Sequence, residues 1–346
     1  MKVTLVTLFT LLALLTALAL PAGLAAQAAP CEPDGDVRFI CNQQAPEDLV
    51  VVPGGEWVFA SSYAGSGGIR LIHVRDKTST VAYPGAAPVD RQDAKTYSAC
   101  PGPPDKKSFQ THGLYLLEGR NSVHRLFAVH HGPRESVEVF EVNATGKTPA
   151  LTWIGCAVAP DPIGLNEVVG LPDGGFFATN FLQRGAEAAT ARGRLMAGEN
   201  NGELWEWRPG AGWKMIPGSE ASGANGLEVS KDGRWLYVAA WGSQSLFRLS
   251  RGETPPKKEE VKLGFRADNV RWAPDGSLFV AGQSLGAGAQ QASVVVKVDP
   301  NTLQVREIIR RPNSASFSNG TVAIQVGKEI WVGSFRGDRI AVFPAP

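Results

Sequence analysis

The sequence predicts an all-β fold, a single six-bladed β-propeller with a central metal-binding channel. Three observations lead there. A short phrase, a glycine-centred turn followed by an apolar strand, returns six times after residue 45 of the 346-residue chain. No window sustains the period of about 3.6 residues that marks an amphipathic helix. The composition, with 39 Gly and 24 Pro against 3 Met, suits many tight turns rather than long helices.

The chain opens on an address rather than on the fold. Lys2 precedes an apolar run from Val3 to Leu20, followed by Pro21, small residues and Ala26-Gln27-Ala28. A charged start, an apolar stretch and an Ala-x-Ala site describe a secretory signal peptide over residues 1–28. An uncleaved anchor is the alternative, and the small-residue tail favours cleavage. Residues 29–346 then make one propeller domain, secreted or periplasmic. No later run approaches the ~20 apolar residues that a membrane span needs. In an oxidising compartment Cys31, Cys41, Cys100 and Cys156 are expected to form disulfides. Loop length favours Cys31 with Cys41 and Cys100 with Cys156. None has the C-x-x-C spacing of a zinc or redox site.

The six phrases then follow in order. They are Pro53-Gly54-Gly55 before Trp57–Ala60, Gly119-Arg120-Asn121 before Leu126–Val129, and Pro172-Asp173-Gly174 before Phe176–Ala178. The others are Lys231-Asp232-Gly233 before Trp235–Val238, Pro274-Asp275-Gly276 before Leu278–Val280, and Gly327-Lys328 before Ile330–Val332. Asp-Gly and its relatives supply the positive φ of a tight hairpin, and the β-branched and aromatic residues suit a pleated surface. A spacing of roughly 40 to 65 residues matches a four-stranded propeller blade. Further strands follow some turns, as in Ser245–Leu249 and Val294–Val298. Residues 186–196 are the best helical stretch. Trp205, Trp207, Trp235, Trp272 and Trp331 lie in or beside strands and read as core between blades. The long strandless stretches 88–107 and 184–201 are expected to cover one propeller face and shape substrate choice.

Charge excludes one class of partner. Lys plus Arg number 34 and Asp plus Glu 33, a formal net charge of +1, so no basic surface awaits nucleic acid. A 43% hydrophobic content is also too high for a disordered chain.

The residues that precede the turns carry the chemistry. Glu47, Asn166, Asn225 and Asp268 each stand six positions before their turn, at Pro53, Pro172, Lys231 and Pro274. One recurring blade position places them around one axis. Carboxylate and amide oxygens that converge suit Ca²⁺, which takes about 6–8 oxygen ligands and tolerates irregular geometry. Zinc would ask for imidazole or thiolate. Asn and Asp also precede turns for backbone reasons alone, but four at one phase in four blades point to a metal.

Glu47-Asp48, Thr111-His112-Gly113-Leu114, Asn166-Glu167, Ala224-Asn225-Gly226 and Asp268-Asn269 together resemble the paraoxonase/arylesterase family. More broadly they are similar to the gluconolactonase, regucalcin and strictosidine-synthase-like propellers. The resemblance runs from about residue 45 to the C-terminus. It implies a six-bladed propeller with calcium in its channel that hydrolyses lactones and esters. It also implies a catalytic calcium held by Glu47, Asn166, Asn225, Asp268 and Asn269. A second, structural calcium would use Asp48, Glu167 and the backbone carbonyl of Leu114. Here Glu167 stands where the pattern has Asp, one methylene longer. The terminal disulfide of paraoxonases has no counterpart, since no Cys follows Cys156.

By the same resemblance His112 is the general base and His131, 19 residues on, its partner. Strand alternation puts His130 and His131 on opposite faces, so only one looks into the channel; the family's spacing from His112 favours His131, and His130 is the alternative. Neutral imidazole can take a proton from water near pH 7. Metal-bound Asp268 is the alternative base. Gly282-Gln283-Ser284-Leu285-Gly286 fits the G-x-S-x-G nucleophile elbow, but no helix pattern and no histidine follow it, so it reads as a glycine-rich loop.

These readings combine into an exported calcium-dependent hydrolase of lactones or aryl esters. The alternative is a non-catalytic propeller that calcium rigidifies and that binds a small molecule or partner. A carbon–carbon bond-forming activity like that of strictosidine synthase is weaker, because that chemistry uses an acidic residue without calcium.

Overall fold

Each glycine turn joins the first two strands of one sheet, and the six sheets form the blades. The computed structural model describes residues 31–346. The signal-peptide assignment of residues 1–28 lies outside them. β1 (Arg38–Ile40) precedes the first blade, which comprises β2 (Leu49–Val51), β3 (Trp57–Ala60), β4 (Ile69–His73) and β5 (Ser79–Tyr83). The second adds a short edge strand, β6 (Val89–Asp90), to β7 (Gln110–Leu117), β8 (Val123–His131), β9 (Ser136–Asn143) and β10 (Ala150–Val158). The third holds β11 (Leu165–Gly170), β12 (Phe176–Asn180), β13 (Glu203–Arg208) and β14 (Gly212–Met215). Blade four runs β15 (Ala224–Val229), β16 (Trp235–Ala240), β17 (Ser245–Ser250) and β18 (Lys258–Lys262). Blade five runs β19 (Arg266–Trp272), β20 (Leu278–Leu285), β21 (Gln291–Val298) and β22 (Val305–Pro312). The last contains β23 (Gly320–Val326), β24 (Glu329–Ser334) and β25 (Ile340–Pro344).

Chain closure comes from β1, which pairs antiparallel with β25 and completes the sixth blade with Arg38 opposite Val342. Ion pairs of Arg38 with Glu329 and of Arg311 with Asp34 reinforce the seam. Backbone pairing therefore closes the ring of blades. The two disulfides are Cys31–Cys41, beside β1, and Cys100–Cys156, as loop length suggests.

The apolar core lies in layers between neighbouring blades. Leu227 and Val238 of blade four meet Val169 and Phe177 of blade three, and Leu49 and Val58 of blade one meet Ile324 and Trp331 of blade six. Trp331 and Trp207 are core residues, as expected. The first strands touch in a closed ring, β2–β7–β11–β15–β19–β23 and back to β2, and so line the axis.

Five of these first strands carry the same irregularity. Register with the second strand slips between Thr111 and Leu114, Leu165 and Val168, Ala224 and Leu227, Ala267 and Val270, and Gly320 and Ala323. Each slip is a bulge, which inserts unpaired residues and re-aims their side chains. The bulged residues are His112-Gly113, Asn166-Glu167, Asn225-Gly226, Asp268-Asn269 and Thr321-Val322. Glu47-Asp48 hold the matching place at the entrance to β2.

The strandless stretches differ in fate. Residues 184–201 hold a 3₁₀ turn and helix α1 (Ala188–Ala197), one residue past the expected end, which closes on Gly198 at positive φ. Residues 88–107 do not cover the channel mouth. They follow the outer edge of blade two, where Arg91 and Asp93 donate backbone N–H groups to Trp153 and Ile154, and Tyr97 stacks on Trp207. No helix among the described residues is long and apolar enough to cross a membrane.

Candidate active site and metal centre

The bulges bring Glu47, Asn166, Asn225, Asp268 and Asn269 together at one level of the channel, all buried. Asn269 Nδ2 donates to Glu47 Oε1 at 2.8 Å, and Asn225 hydrogen-bonds Asp268. Glu47 Oε2 lies 3.6 Å from His112 Nε2, and Asn166 Nδ2 lies 3.5 Å from the same nitrogen. Four oxygens of this group are buried and without a hydrogen-bond partner: Glu47 Oε2, Asn166 Oδ1, Asn225 Oδ1 and Asn269 Oδ1. Buried polar atoms are rarely left so. Four of them from four blades fit a hard cation, which takes oxygen ligands and supplies the missing charge. Among the described residues no group of three or more His, Cys, Asp or Glu could hold a metal ion. Here only two of the five side chains are carboxylates and the rest are amides, a donor set that leans to calcium rather than zinc.

Burial sets the electrostatics. It pushes the Glu47 carboxyl well above its ordinary value, with the charges of Asp268, Asp48 and Glu167 adding to the effect. Burial also raises Asp268, to about 7, against hydrogen bonds from Gln283 and Asn225. Gln283 Nε2 donates to Asp268 Oδ2 at 2.6 Å and to the Gly320 carbonyl at 2.7 Å. Gln283 is the second residue of the G-x-S-x-G match, which lies on β20 and leads by a 3₁₀ turn into β21. No helix follows Ser284. Instead the motif braces Asp268.

The two histidines form a directed chain. His131 Nδ1 is 3.0 Å from Glu135 Oε2, so it carries the proton and donates. Its Nε2, 2.9 Å from His112 Nδ1, then accepts from His112. That network leaves His112 Nε2 unprotonated, an acceptor that takes a long hydrogen bond from Asn166 Nδ2 at 3.5 Å and faces Glu47 Oε2. Burial, with a smaller push from His131, holds the His112 imidazole well below its usual pKa, hence neutral at pH 7. Glu135 is fixed in turn, accepting from the Leu165 N–H at 2.7 Å. His130 points away. It packs on Phe109, with Nδ1 3.0 Å from the Gln110 carbonyl, and burial pushes it down to about 4.

Asp48, Glu167 and Leu114 lie apart from this group, and Arg271 sits among them. Its Nη2 donates to Asp48, to the Leu114 carbonyl at 2.8 Å and to Glu167 Oε2 at 3.0 Å. These residues do not fit a second cation.

A pocket of about 560 Å³ opens over the upper group. Tyr63, His112 and His131 line it with Glu47, Asn166, Asn225 and Asp268, and Tyr63 packs 4.4 Å from the His112 ring. Apolar walls come from Phe181, Leu182, Trp241 and Phe335, and from Leu195 and Met196 of α1. Arg184, Arg192 and Arg336 also line it. Sequence reasoning missed Tyr63, Glu135, Gln283, Trp241 and Arg271. Only Gln283 and Glu135 left a trace, the first inside a motif and the second four residues past His131.

No protein-family model matches the chain, and no curated protein matches its sequence. Solved structures do share its fold. A gluconolactonase from Xanthomonas campestris superimposes with a TM-score of 0.55 at 16% identity, covering 90% of this chain and 89% of that one. A luciferin-regenerating enzyme gives 0.53 at 13%, covering 89% and 94%. The PQQ-bound aldose sugar dehydrogenase of Streptomyces coelicolor gives 0.52 at 14%, covering 90% and 98%. At such identities the likeness establishes the six-bladed propeller and no more, since one fold hosts many chemistries.

Proposed function

We propose that the chain is an exported hydrolase of lactones or aryl esters that uses one calcium ion held by Glu47, Asn166, Asn225, Asp268 and Asn269. The observation that carries this reading is the meeting, in one pocket, of four unpartnered buried oxygens with the His112 Nε2 that its hydrogen-bond chain leaves unprotonated. A gluconolactonase among the similar structures supports a lactone as substrate, and two disulfides support an extracytoplasmic location. When bound there, a divalent cation polarises a carbonyl oxygen and stabilises the oxyanion that forms as water attacks.

The chain's own residues do the proton work. His112 Nε2 takes a proton from the attacking water, and the resulting imidazolium keeps its Nδ1–H on His131. Glu135 lies behind His131 and steadies the positive charge through the shared hydrogen bonds. His112 then returns the proton to the leaving alkoxide or phenolate. Asp268 is less suited to this task, because Gln283 and Asn225 already occupy it. Phe181, Trp241 and Phe335 give the substrate an apolar wall. The test is hydrolysis of a γ-lactone and of phenyl acetate by the purified protein, before and after calcium removal. Turnover lost on chelation and regained with calcium supports the reading. Turnover that survives full removal refutes it.

A further inference from the structure

We infer that Arg271 fills the lower cation position of the channel for good, so that the chain holds a divalent ion at the upper position only. This goes beyond the proposed activity: the ion at the upper position rests on that reading, and the occupation of the lower one by Arg271 does not. Arg271 lies two residues past Asn269 on β19 and crosses the axis to groups from three other blades. Its Nη2 donates to Asp48 of blade one, to the Leu114 carbonyl of blade two at 2.8 Å and to Glu167 Oε2 of blade three at 3.0 Å. Nη1 donates to the Val270 carbonyl at 2.9 Å. A calcium ion on those acceptors would need to lie about 2.3–2.6 Å from each oxygen. The nitrogen and the ion claim the same point.

The two levels of the channel differ in what their oxygens lack. At the upper level four buried oxygens have no partner. At the lower level every carboxylate oxygen has one. Asp48 Oδ1 accepts from the Leu49 N–H at 2.8 Å, and Oδ2 accepts from the Leu114 N–H at 2.6 Å as well as from Arg271. Glu167 Oε1 accepts from the Val168 N–H at 2.9 Å while Oε2 takes Arg271. Backbone donors would have to be abandoned, and a buried guanidinium expelled, before an ion could bind. A tethered cation cannot dissociate and no chelator removes it, so the lower channel keeps its cross-blade link when calcium is absent.

The test is calcium stoichiometry of the full chain by isothermal titration calorimetry, with thermal melts in chelator and in calcium. Arg271→Ala should bind one ion per chain more than the wild type. Its Tm in chelator should fall by roughly 5 °C or more, as expected when a buried pair loses one partner, and calcium should restore the loss. Glu167→Gln in the wild-type background should leave the stoichiometry unchanged. An Arg271→Ala protein that gains no ion, or a Glu167→Gln protein that loses one, overturns the inference. Should Arg271→Ala fail to fold in chelator, recovery on refolding with calcium supports it and failure in both conditions refutes it. A wild type that binds no calcium would refute the upper site, yet the gain of one ion in Arg271→Ala would still be read.

Discussion

At the scale of single residues, direction matters more than proximity. His112 sits in a site with several polar neighbours, but its usefulness depends on which nitrogen holds the proton. Glu135 decides that through His131, so it is a positioning residue rather than one that touches substrate. Glu135→Gln should lower kcat by roughly 10- to 100-fold, less than the ~10²–10⁴-fold attributed to general acid–base catalysis itself, because Glu135 acts only through His131. It should also move the acid limb of the kcat/KM profile to lower pH, because the imidazolium loses the carboxylate that steadies it. Glu135→Asp should restore part of both. A pH–rate series on the three proteins checks this, and a uniform loss with an unmoved profile would mark Glu135 as merely structural. Spacing before the turns exposed Glu47, Asn166, Asn225 and Asp268, whereas Asn269 and the two histidines came only from the family resemblance. The sequence hid Glu135 and Gln283, whose partners lie across a hairpin or on the adjacent strand, where no linear spacing reports them.

The bulge is the element that makes the site. A regular strand would alternate these side chains between its two faces. The slip in five first strands instead breaks that alternation, and Asp268-Asn269 place two consecutive side chains at the metal level. Where only one side chain is wanted, the second position is glycine, as at Gly113 and Gly226. A Cβ on Gly226 would lie 2.4 Å from the Asp268 carbonyl oxygen and 2.6 Å from Asn269 Cα, both backbone atoms that cannot swing aside. Gly226→Ala should therefore cost about 1–3 kcal/mol of stability, as overpacking does, and weaken calcium binding by displacing Asp268 and Asn269. Gly193→Ala, in α1 with nothing within 4 Å of the added carbon, is the control and should not lower stability. Urea midpoints and calcium titrations of both variants check the pair. Turn chemistry made the six hairpins legible in the sequence, since Asp-Gly has few other uses. The bulges were not legible, because the slip depends on how the neighbouring first strands crowd around the axis.

Over the whole molecule, six blades closed by an N-terminal strand turn residues 222 positions apart into neighbours, as Glu47 and Asn269 are. That closure was not readable from the cysteines, which staple β1 locally and blade two to its edge loop. Nor was the role of Arg271, since an arginine within a first strand gives no hint of what lies across the axis. The residue phase did report the upper ring, because symmetry repeats a position from blade to blade. The most direct measurement is therefore anomalous scattering from crystals grown with calcium. One peak is expected on the axis, about 2.3–2.6 Å from oxygens of Glu47, Asn166, Asn225, Asp268 and Asn269. A channel with no peak at that level, or a peak bound elsewhere on the surface alone, would contradict a metal-centred hydrolase.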